Sequence, residues 1–490
     1  MSEINVSHLS FSYPGRYEKI FDDTSFIINT DWKLGIIGRN GKGKTTFLKI
    51  LNGELEYQGQ ISKKVDIDYF PFEVKDYTQN TIDIIKQIAV NAEDWEITKE
   101  LNLLETDLDV LYRPFETLSG GEQVKVLLVA LFLKNNNFLL IDEPTNHLDI
   151  YSRDTIANYL KNKNGFILVS HDRELLDKVV DHIISINNTT IDVQAGNYSS
   201  WKQNKNYKDN FELSQNEKLE KEINRLKVAA ADTSRWSDAV EKTKIGNGPC
   251  ERGHVGHMAA KMMKRSKAIE KRINKEIDEK SNLLNDIDRQ DYLEIKPLDT
   301  KRNKLIVADK ITIGYGEKIV IDNLSFEINK GDKVCFKGKN GSGKSTILKA
   351  IIGDENVQIT NGNFGVGNEL KISYVCQFTN DLKGSLRDYA EENKINESVF
   401  KAMLAKMGFS KEEFDKKIES LSEGQKKKVL LAKSITENAD IYVWDEPLNF
   451  IDIQTREQIE DMILKYNPTL IFVEHDNTFV QKIANKIIEL

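Results

Sequence analysis

The chain has 490 residues, enough for two to three domains that each bury a core. No run of about 18 apolar residues occurs, which excludes a membrane-spanning helix, and three scattered cysteines (Cys250, Cys335, Cys376) exclude a disulfide framework. The net charge of −8 speaks against a polyanion partner for the chain as a whole, so the distribution of charge has to be followed along the sequence.

Residues 1–11 alternate polar and apolar positions and lack the basic-then-apolar layout of a signal peptide. Short β-rich segments containing Tyr13 come first, and the apolar run Lys33–Ile37 then predicts a buried strand. It leads into Gly38-Arg39-Asn40-Gly41-Lys42-Gly43-Lys44-Thr45-Thr46, a glycine loop opening a helix. Glycines there let backbone N–H groups turn around phosphate oxygens, and the helix N-terminus adds favourable potential. Lys44 is expected to reach the β- and γ-phosphates of ATP and Thr45 to ligate Mg2+. Tyr69-Phe70-Pro71-Phe72 follows, and then Leu118-Ser119-Gly120-Gly121-Glu122-Gln123, where a serine and glycines open a helix and make a second anion site. Residues 138–141 read as a buried strand with Asp142 at its tip, suited to a Mg2+ shell, and Glu143 beside it, suited to polarising a water. Phe166–Val169 predicts another strand, with Ser170-His171-Asp172 past its end, which sets His171 near the γ-phosphate. Alone, an acid before Pro144 caps a turn and a lone histidine is structural; the glycine loop as companion decides for chemistry.

From about residue 203 to 243 one helix is predicted, with Leu219, Ile223, Leu226 and Ala230 at steps of four, three and four. Ile269, Ile273, Ile277, Leu284 and Ile287 mark a second helix. A narrow apolar seam flanked by charge predicts an antiparallel two-helix coiled coil, with a tip near 244–258 at the breaker cluster Gly246-Asn247-Gly248-Pro249. Residues 221–275 hold 14 Lys/Arg and 6 Asp/Glu, a net of +8 that leaves −16 for the rest of the chain. A basic arm on an acidic body is the footprint of a polyanion met at the arm, although a charge-rich helix is more often a solvated face. The excess beside the breaker decides for RNA, with contacts expected from Lys242, Lys244, Arg252, His254, Lys261, Lys264, Arg265 and Lys267. Cys250, His254 and His257 offer three metal donors without an obvious fourth, so the tip is read as fitting RNA.

After the linker the chain repeats itself. Lys44 and Lys344 lie 300 positions apart, Ser119 and Ser422 303, Glu143 and Glu446 303, and His171 and His475 304. Four motifs in one order at a nearly constant offset are a duplication. The second glycine loop is Gly338-Lys339-Asn340-Gly341-Ser342-Gly343-Lys344-Ser345-Thr346, with Ser345 expected on Mg2+. Leu421-Ser422-Glu423-Gly424-Gln425-Lys426 and Asp445-Glu446-Pro447 follow. Strands alternating with helices predict two α/β domains with mainly parallel sheets, at 1–202 and 303–490, around a helical linker at 203–302.

The Leu-Ser-Gly-Gly-Glu-Gln stretch, beside a loop that already cradles phosphates, resembles the signature of ATP-binding-cassette proteins. The resemblance covers both copies nearly whole and implies hydrolysis of ATP to ADP and phosphate in two sites, each shared head to tail. Lys44 would share one ATP with Ser422 and Gly424, flanked by Glu423 and Gln425, and Lys344 the other with Ser119 and Gly121, flanked by Gly120 and Glu122. Tyr13 and Tyr315 match the aromatic that stacks on adenine, Asp149 and Asp452 the loop through which the sites communicate, and Gln377 the glutamine that contacts Mg2+ and water. The copies also differ. Phe72 stands where copy two has Gln377, Glu423 replaces a signature glycine, and Leu448 and Phe450 stand for Thr145 and His147. Two sites of unequal rate are expected, neither of them dead.

Ser119 follows Lys44 by 75 positions and Ser422 follows Lys344 by 78, less room than transport cassettes use to dock on a membrane domain. Two cassettes, a basic linker and the run Glu143-Pro144-Thr145-Asn146-His147-Leu148-Asp149 resemble the ABC-F family. That resemblance implies a cytoplasmic monomer on the 70S ribosome, with the linker tip near 23S rRNA of the peptidyl-transferase centre, the E-site region and P-site tRNA. Trp32-Lys33-Leu34-Gly35, Trp201 after Gly196-Asn197-Tyr198, Met263-Lys264-Arg265-Ser266-Lys267 and Trp444-Asp445-Glu446-Pro447-Leu448-Asn449 are similar to its Lsa-type antibiotic-resistance branch. That branch is associated with lincosamides, streptogramin A and pleuromutilins, and implies ribosome protection. A housekeeping translation factor acting on stalled ribosomes and the ATPase subunit of a membrane transporter are the alternatives.

Overall fold

The computed structural model describes residues 2–15, 19–134, 137–146, 148–187, 190–242, 261, 264–265, 268–269, 271–273, 275–276, 292–316 and 318–490, with the backbone alone over 230–242. The chain forms two compact units, Met1–Trp201 together with Gln290–Leu490, and Lys202–Arg289.

Among the described residues, the central sheet of copy one has the strand order Asp66–Phe70, Asn137–Asp142, Phe166–Val169, Lys33–Ile37, His182–Asn187 and Thr190–Ala195. Neighbours run parallel except the last, which returns antiparallel. Successive side chains point to opposite faces. Phe138 and Leu140 join Leu34, Ile36 and Phe47 on one face, while Leu139 and Ile141 join Leu128, Ile156 and Leu168 on the other. Both faces are buried, which is why these strands read as unbroken apolar runs. Copy two repeats the plan with all-parallel Ile372–Val375, Ile441–Asp445, Leu470–Val473, Lys333–Lys337 and Lys486–Glu489.

A three-stranded antiparallel sheet packs on one face in each copy, centred on Glu3–Phe11 and on Lys304–Tyr315. These strands run to 9 and 12 residues, longer than the short segments expected. Register shifts break the alternation that a sequence reading needs, and left-handed residues such as His8 (φ 52°) and Lys310 (φ 48°) sit within them.

The compact units divide at Trp201 and at Gln290, beside expected limits of 202 and 303. The long helix Tyr198–Lys242 starts before residue 203, because Tyr198 and Trp201 are buried in the core of copy one. Leu293 and Ile295 are buried in the core of copy two, so residues 292–302 pack with that cassette and not with the linker.

In the linker unit, Ile223 is buried and Leu219 and Leu226 are half-buried, whereas Lys221, Arg225 and Lys227 are exposed. Helical backbone recurs between 261 and 276, with Lys261, Lys264, Arg265, Lys271 and Arg272 exposed. The expected tip with Lys244, Arg252 and His254, Lys267, the side chain of Lys242 and most of the second apolar seam lie outside the described residues. No described helix is long and apolar enough to cross a membrane.

Candidate nucleotide-binding sites

In each copy four neighbouring strand ends deliver the site, at the carboxyl edge where open α/β sheets gather ligands. In copy one the glycine loop follows Lys33–Ile37, Asp142 ends Asn137–Asp142, His171 follows Phe166–Val169 and Phe72 follows Asp66–Phe70. Copy two brings together Lys344, Asp445, His475 and Gln377 in the same way.

The loops are formed in advance. Gly43 and Gly343 both have φ 96°, and a Cβ on them would lie 2.5 Å from Ile20 Cγ2 and 2.7 Å from Ile321 Cγ1, so only glycine fits. The helices they open, Lys44–Asn52 and Lys344–Ile352, start without a side-chain cap, which leaves their N-terminal donors for an anion. Lys44 Nζ donates to Gly38 O at 2.8 Å, Arg39 O at 3.3 Å and Asn40 Oδ1 at 3.2 Å. Lys344 Nζ donates to Gly338 O at 3.0 Å and Lys339 O at 2.9 Å. Each ammonium is thus clipped inside its own loop, and burial lowers the pKa of both against the pull of nearby carboxylates.

Thr45 Oγ1 and Tyr69 Oη both donate to Asp142 Oδ2, at 3.1 and 2.8 Å. Ser345 bonds Asp445 likewise, while Asp445 Oδ1 is buried without a hydrogen-bond partner. Burial raises the pKa of Asp142 and pushes Asp445 up to about 6. A hydroxyl and a desolvated carboxylate with an orphaned oxygen are the hard donor set of Mg2+, so these residues fit that ion.

Glu143 and Glu446 share a feature that no sequence signal announced: both sit in left-handed backbone, at φ 51° and 46°. Non-glycine residues there carry strain of about 1–3 kcal/mol, held by surrounding structure. The holding bonds are Glu143 N–H to Val169 O at 2.9 Å and Glu446 N–H to Val473 O at 3.0 Å.

Their surroundings diverge. Glu143 accepts one long bond, from His171 N–H at 3.4 Å, and its Oε1 is buried without a hydrogen-bond partner. Burial, and then the neighbouring Asp142, push it up to about 8. His171, 3.4 Å away, is held well below the usual histidine range by burial and by Lys44 and Arg456. Glu446 is also buried, but hydrogen bonds from His475, Gln377 and Asn449 outweigh that burial and bring it down to about 2. Asn449 Nδ2 donates at 2.6 Å and His475 Nε2 lies at 3.5 Å. Phe72, in the place of Gln377, is 40% exposed and supplies no such donor.

The signature segments are capping boxes. Ser119 Oγ accepts from Glu122 N–H at 3.3 Å and Glu122 returns to Ser119 N–H at 2.7 Å, and Ser422 pairs with Gln425 at 3.4 and 2.9 Å. Ser119 and Gly120 are exposed at the start of Gly120–Phe132, and Ser422 and Glu423 at the start of Glu423–Thr436.

The cassettes meet head to tail. Asn40 Nδ2 donates to Phe450 O at 2.8 Å, and a Cβ on Gly424 would meet the same nitrogen at 2.8 Å. Arg39 Nε bonds Gln454, and in the opposite sense Asn340 N–H donates to Asp149. Asp452, which accepts from Lys428 at 2.6 Å, attracts Lys44. Gly121 packs instead on Leu148 and Ser152 of its own copy. Tyr13 is tethered to Thr46 at 2.9 Å beside the first loop, whereas Tyr315 is exposed. Sequence reading missed Asn449, Lys427 and the buried pair Arg173–Glu460; alignment of the two copies position by position sets Lys427 against Val124, Arg173 against Asn477 and Glu460 against Ala157, and would have flagged all but Asn449.

A family model described as ABC transporter matches residues 21–146 and 321–449. The ribosome protection protein VmlR of Bacillus subtilis is 30% identical over 99% of this chain and 86% of its own length. The energy-dependent translational throttle protein EttA of Haemophilus influenzae is 28% identical over 96% and 89%. Among solved structures, an RNase-L inhibitor superposes with a TM-score of 0.64 at 20% identity, covering 99% of this chain and 87% of that one, which speaks for the fold. The chain binds ATP in tandem cassettes, is an ATPase, and belongs to the ABC-F family of ABC transporter ATP-binding proteins.

Proposed function

We propose that this protein is an ATP-driven, cytoplasmic ribosome factor whose linker acts on ribosomal RNA. The observation that carries the reading is the exposed basic surface at Lys261, Lys264, Arg265, Lys271 and Arg272 on a linker joined to cassettes that already interlock head to tail. VmlR and EttA, named for action on ribosomes and translation, support it across almost the whole chain.

In this reading ATP seats its phosphates on the loops around Lys44 and Lys344. Thr45 with Asp142, and Ser345 with Asp445 and Gln377, hold Mg2+, which neutralises phosphate charge when bound. Glu446 is ready to orient and deprotonate a water as found, while Glu143 first has to lose its proton. His171 and His475 steady those glutamates. ATP binding fixes the closed cassette pair and drives the linker toward 23S rRNA between the E site and the peptidyl-transferase centre, beside P-site tRNA. Hydrolysis then releases the factor.

The finer reading is antibiotic protection of the Lsa type, against lincosamides, streptogramin A or pleuromutilins; the likeness to VmlR, named as a ribosome protection protein, supports its ribosome-protecting part. The likeness to EttA favours a translation factor instead. A chain carrying Glu143→Gln and Glu446→Gln should sediment with 70S ribosomes in ATP. Unchanged sedimentation would sink the cycle, and drug susceptibility with and without the gene separates the two readings.

A further inference from the structure

Lys427, in the signature helix of copy two, is only 2% exposed. Burying an ammonium is expensive unless its donors are met. Lys427 Nζ donates to Cys376 O and Gln377 O at 2.8 Å each, with Asp445 O at 3.4 Å. All three partners are main-chain carbonyls, so the cation ties the segment carrying Gln377 to the strand end carrying Asp445 and Glu446. One turn earlier Glu423 accepts a hydrogen bond from the Thr379 hydroxyl and pairs with Lys426 at 2.9 Å. The helix therefore grips residues 376–379 twice, and Gln377 between the grips bonds Glu446.

Copy one provides an internal control. Gly120 and Val124 stand where copy two has Glu423 and Lys427, and Phe72 stands for Gln377. Neither clamping side chain occurs where there is no glutamine to hold. Glu423, expected beside the shared ATP as the replacement for a signature glycine, belongs to this clamp.

We propose that Lys427 is a positioning residue of the second ATP site: it fixes the main chain around Gln377 so that this side chain meets Glu446. The inference rests on the reading of Glu446 as the group that polarises water, and it assigns to the signature helix a task inside its own cassette. Misplacing a reacting partner by about 1 Å can cost roughly 100-fold in rate, so a loss of about tenfold or more in turnover is expected when the clamp is removed.

The test uses the full chain in two backgrounds, Glu143→Gln, which leaves Glu446 as the only base, and Glu446→Gln, which leaves Glu143. Adding Lys427→Met should lower kcat about tenfold in the first background with KM for ATP within about twofold, and the loss should be several times smaller in the second. Lys427→Met should also speed hydrogen exchange at residues 376–379 in the nucleotide-free chain, and Lys427→Arg should recover part of both effects. Equal losses in the two backgrounds, or unchanged exchange at 376–379, overturn the proposal. A Glu143→Gln chain without turnover overturns the reading of Glu446 instead, and the clamp is then decided by the exchange measurement alone.

Discussion

Arg173 of the first cassette donates two hydrogen bonds to Glu460 of the second, one of them from Nη1 to Oε2 at 3.3 Å, in a setting that leaves the carboxylate fully buried. Asp476 stands 3.6 Å from the same guanidinium and is itself bonded by Arg456 at 2.9 Å. The duplication does not repeat this anchor. The matching positions are Asn477 and Ala157, and they line a cleft together with Arg153, Asp172 and Lys178. The buried ion pair therefore stands on one side of the shared interface, while on the other Asn477 Nδ2 makes a single bond to Glu174 at 3.2 Å.

Breaking that ion pair should be costly. Removing one partner of a buried pair strands the other, at about 3–5 kcal/mol. Arg173→Met leaves Glu460 with Lys482 at 2.9 Å, so the lower end of about 3 kcal/mol is expected. Denaturant titration measures it. A midpoint within error of the parent would show that the pair adds nothing to the union of the cassettes.

The two glutamates predict different pH profiles. A carboxyl normally near 4.5 that is held up to about 8 is protonated at neutral pH, and raising the pH ionises it. kcat/KM reports the free enzyme. In the Glu446→Gln background it should therefore climb through pH 7 to 9, while in the Glu143→Gln background, where Glu446 is held down to about 2, it should stay flat from pH 7 to 9, above the Asp445 carboxyl at about 6. The same shift has a stability sign. The folded state holds the Glu143 proton that the unfolded chain releases, so this group's contribution is intact below pH 4.5 and is lost as pH rises through about 8. Identical rate profiles in the two backgrounds would mean that the glutamates are equivalent when ATP arrives.

Asp445 gives a metal prediction. Its buried unpaired Oδ1 suits a cation, so in the Glu143→Gln background, where only the second site turns over, Asp445→Asn should abolish turnover as fully as chelating Mg2+ does. ATP binding, measured by nucleotide fluorescence, should fall far less, because the loops and their lysines remain. Full turnover in Asp445→Asn would remove this carboxylate from the metal site.

The strands and loops were legible because their physics is local. Runs buried on both faces, such as Phe166–Val169 and Leu470–Val473, begin and end where their apolar residues do, and Gly43 and Gly343 take up backbone that other residues avoid. What stayed hidden depends on partners distant in sequence. The first turn of Tyr198–Lys242 stays outside the helix predicted from about residue 203, because Tyr198 and Trp201 face the core of copy one and not the linker seam. Lys427 reads as one basic residue in a run of three until its carbonyl partners, about 50 positions away, are known. The unequal protonation of Glu143 and Glu446 was foreshadowed only by Phe72 against Gln377, a single difference whose weight lies in where Gln377 points.

The linker prediction turns on salt. Each phosphate neutralised by a lysine or arginine releases counterions, so the slope of log affinity against log salt falls in magnitude by roughly 1 per contact removed. Lys261, Lys264 and Arg265 are exposed on the second helical stretch. Replacing all three by Gln in the chain that also carries Glu143→Gln and Glu446→Gln should weaken ribosome binding and flatten the salt slope by about 3 units. ATP turnover by the cassettes free of ribosomes should not change, because these residues lie in the unit formed by Lys202–Arg289 and outside the cassettes. Weaker binding with an unchanged slope would point to a fold defect in the linker, and unchanged binding would mean that this basic face is solvated and that the ribosome is met elsewhere.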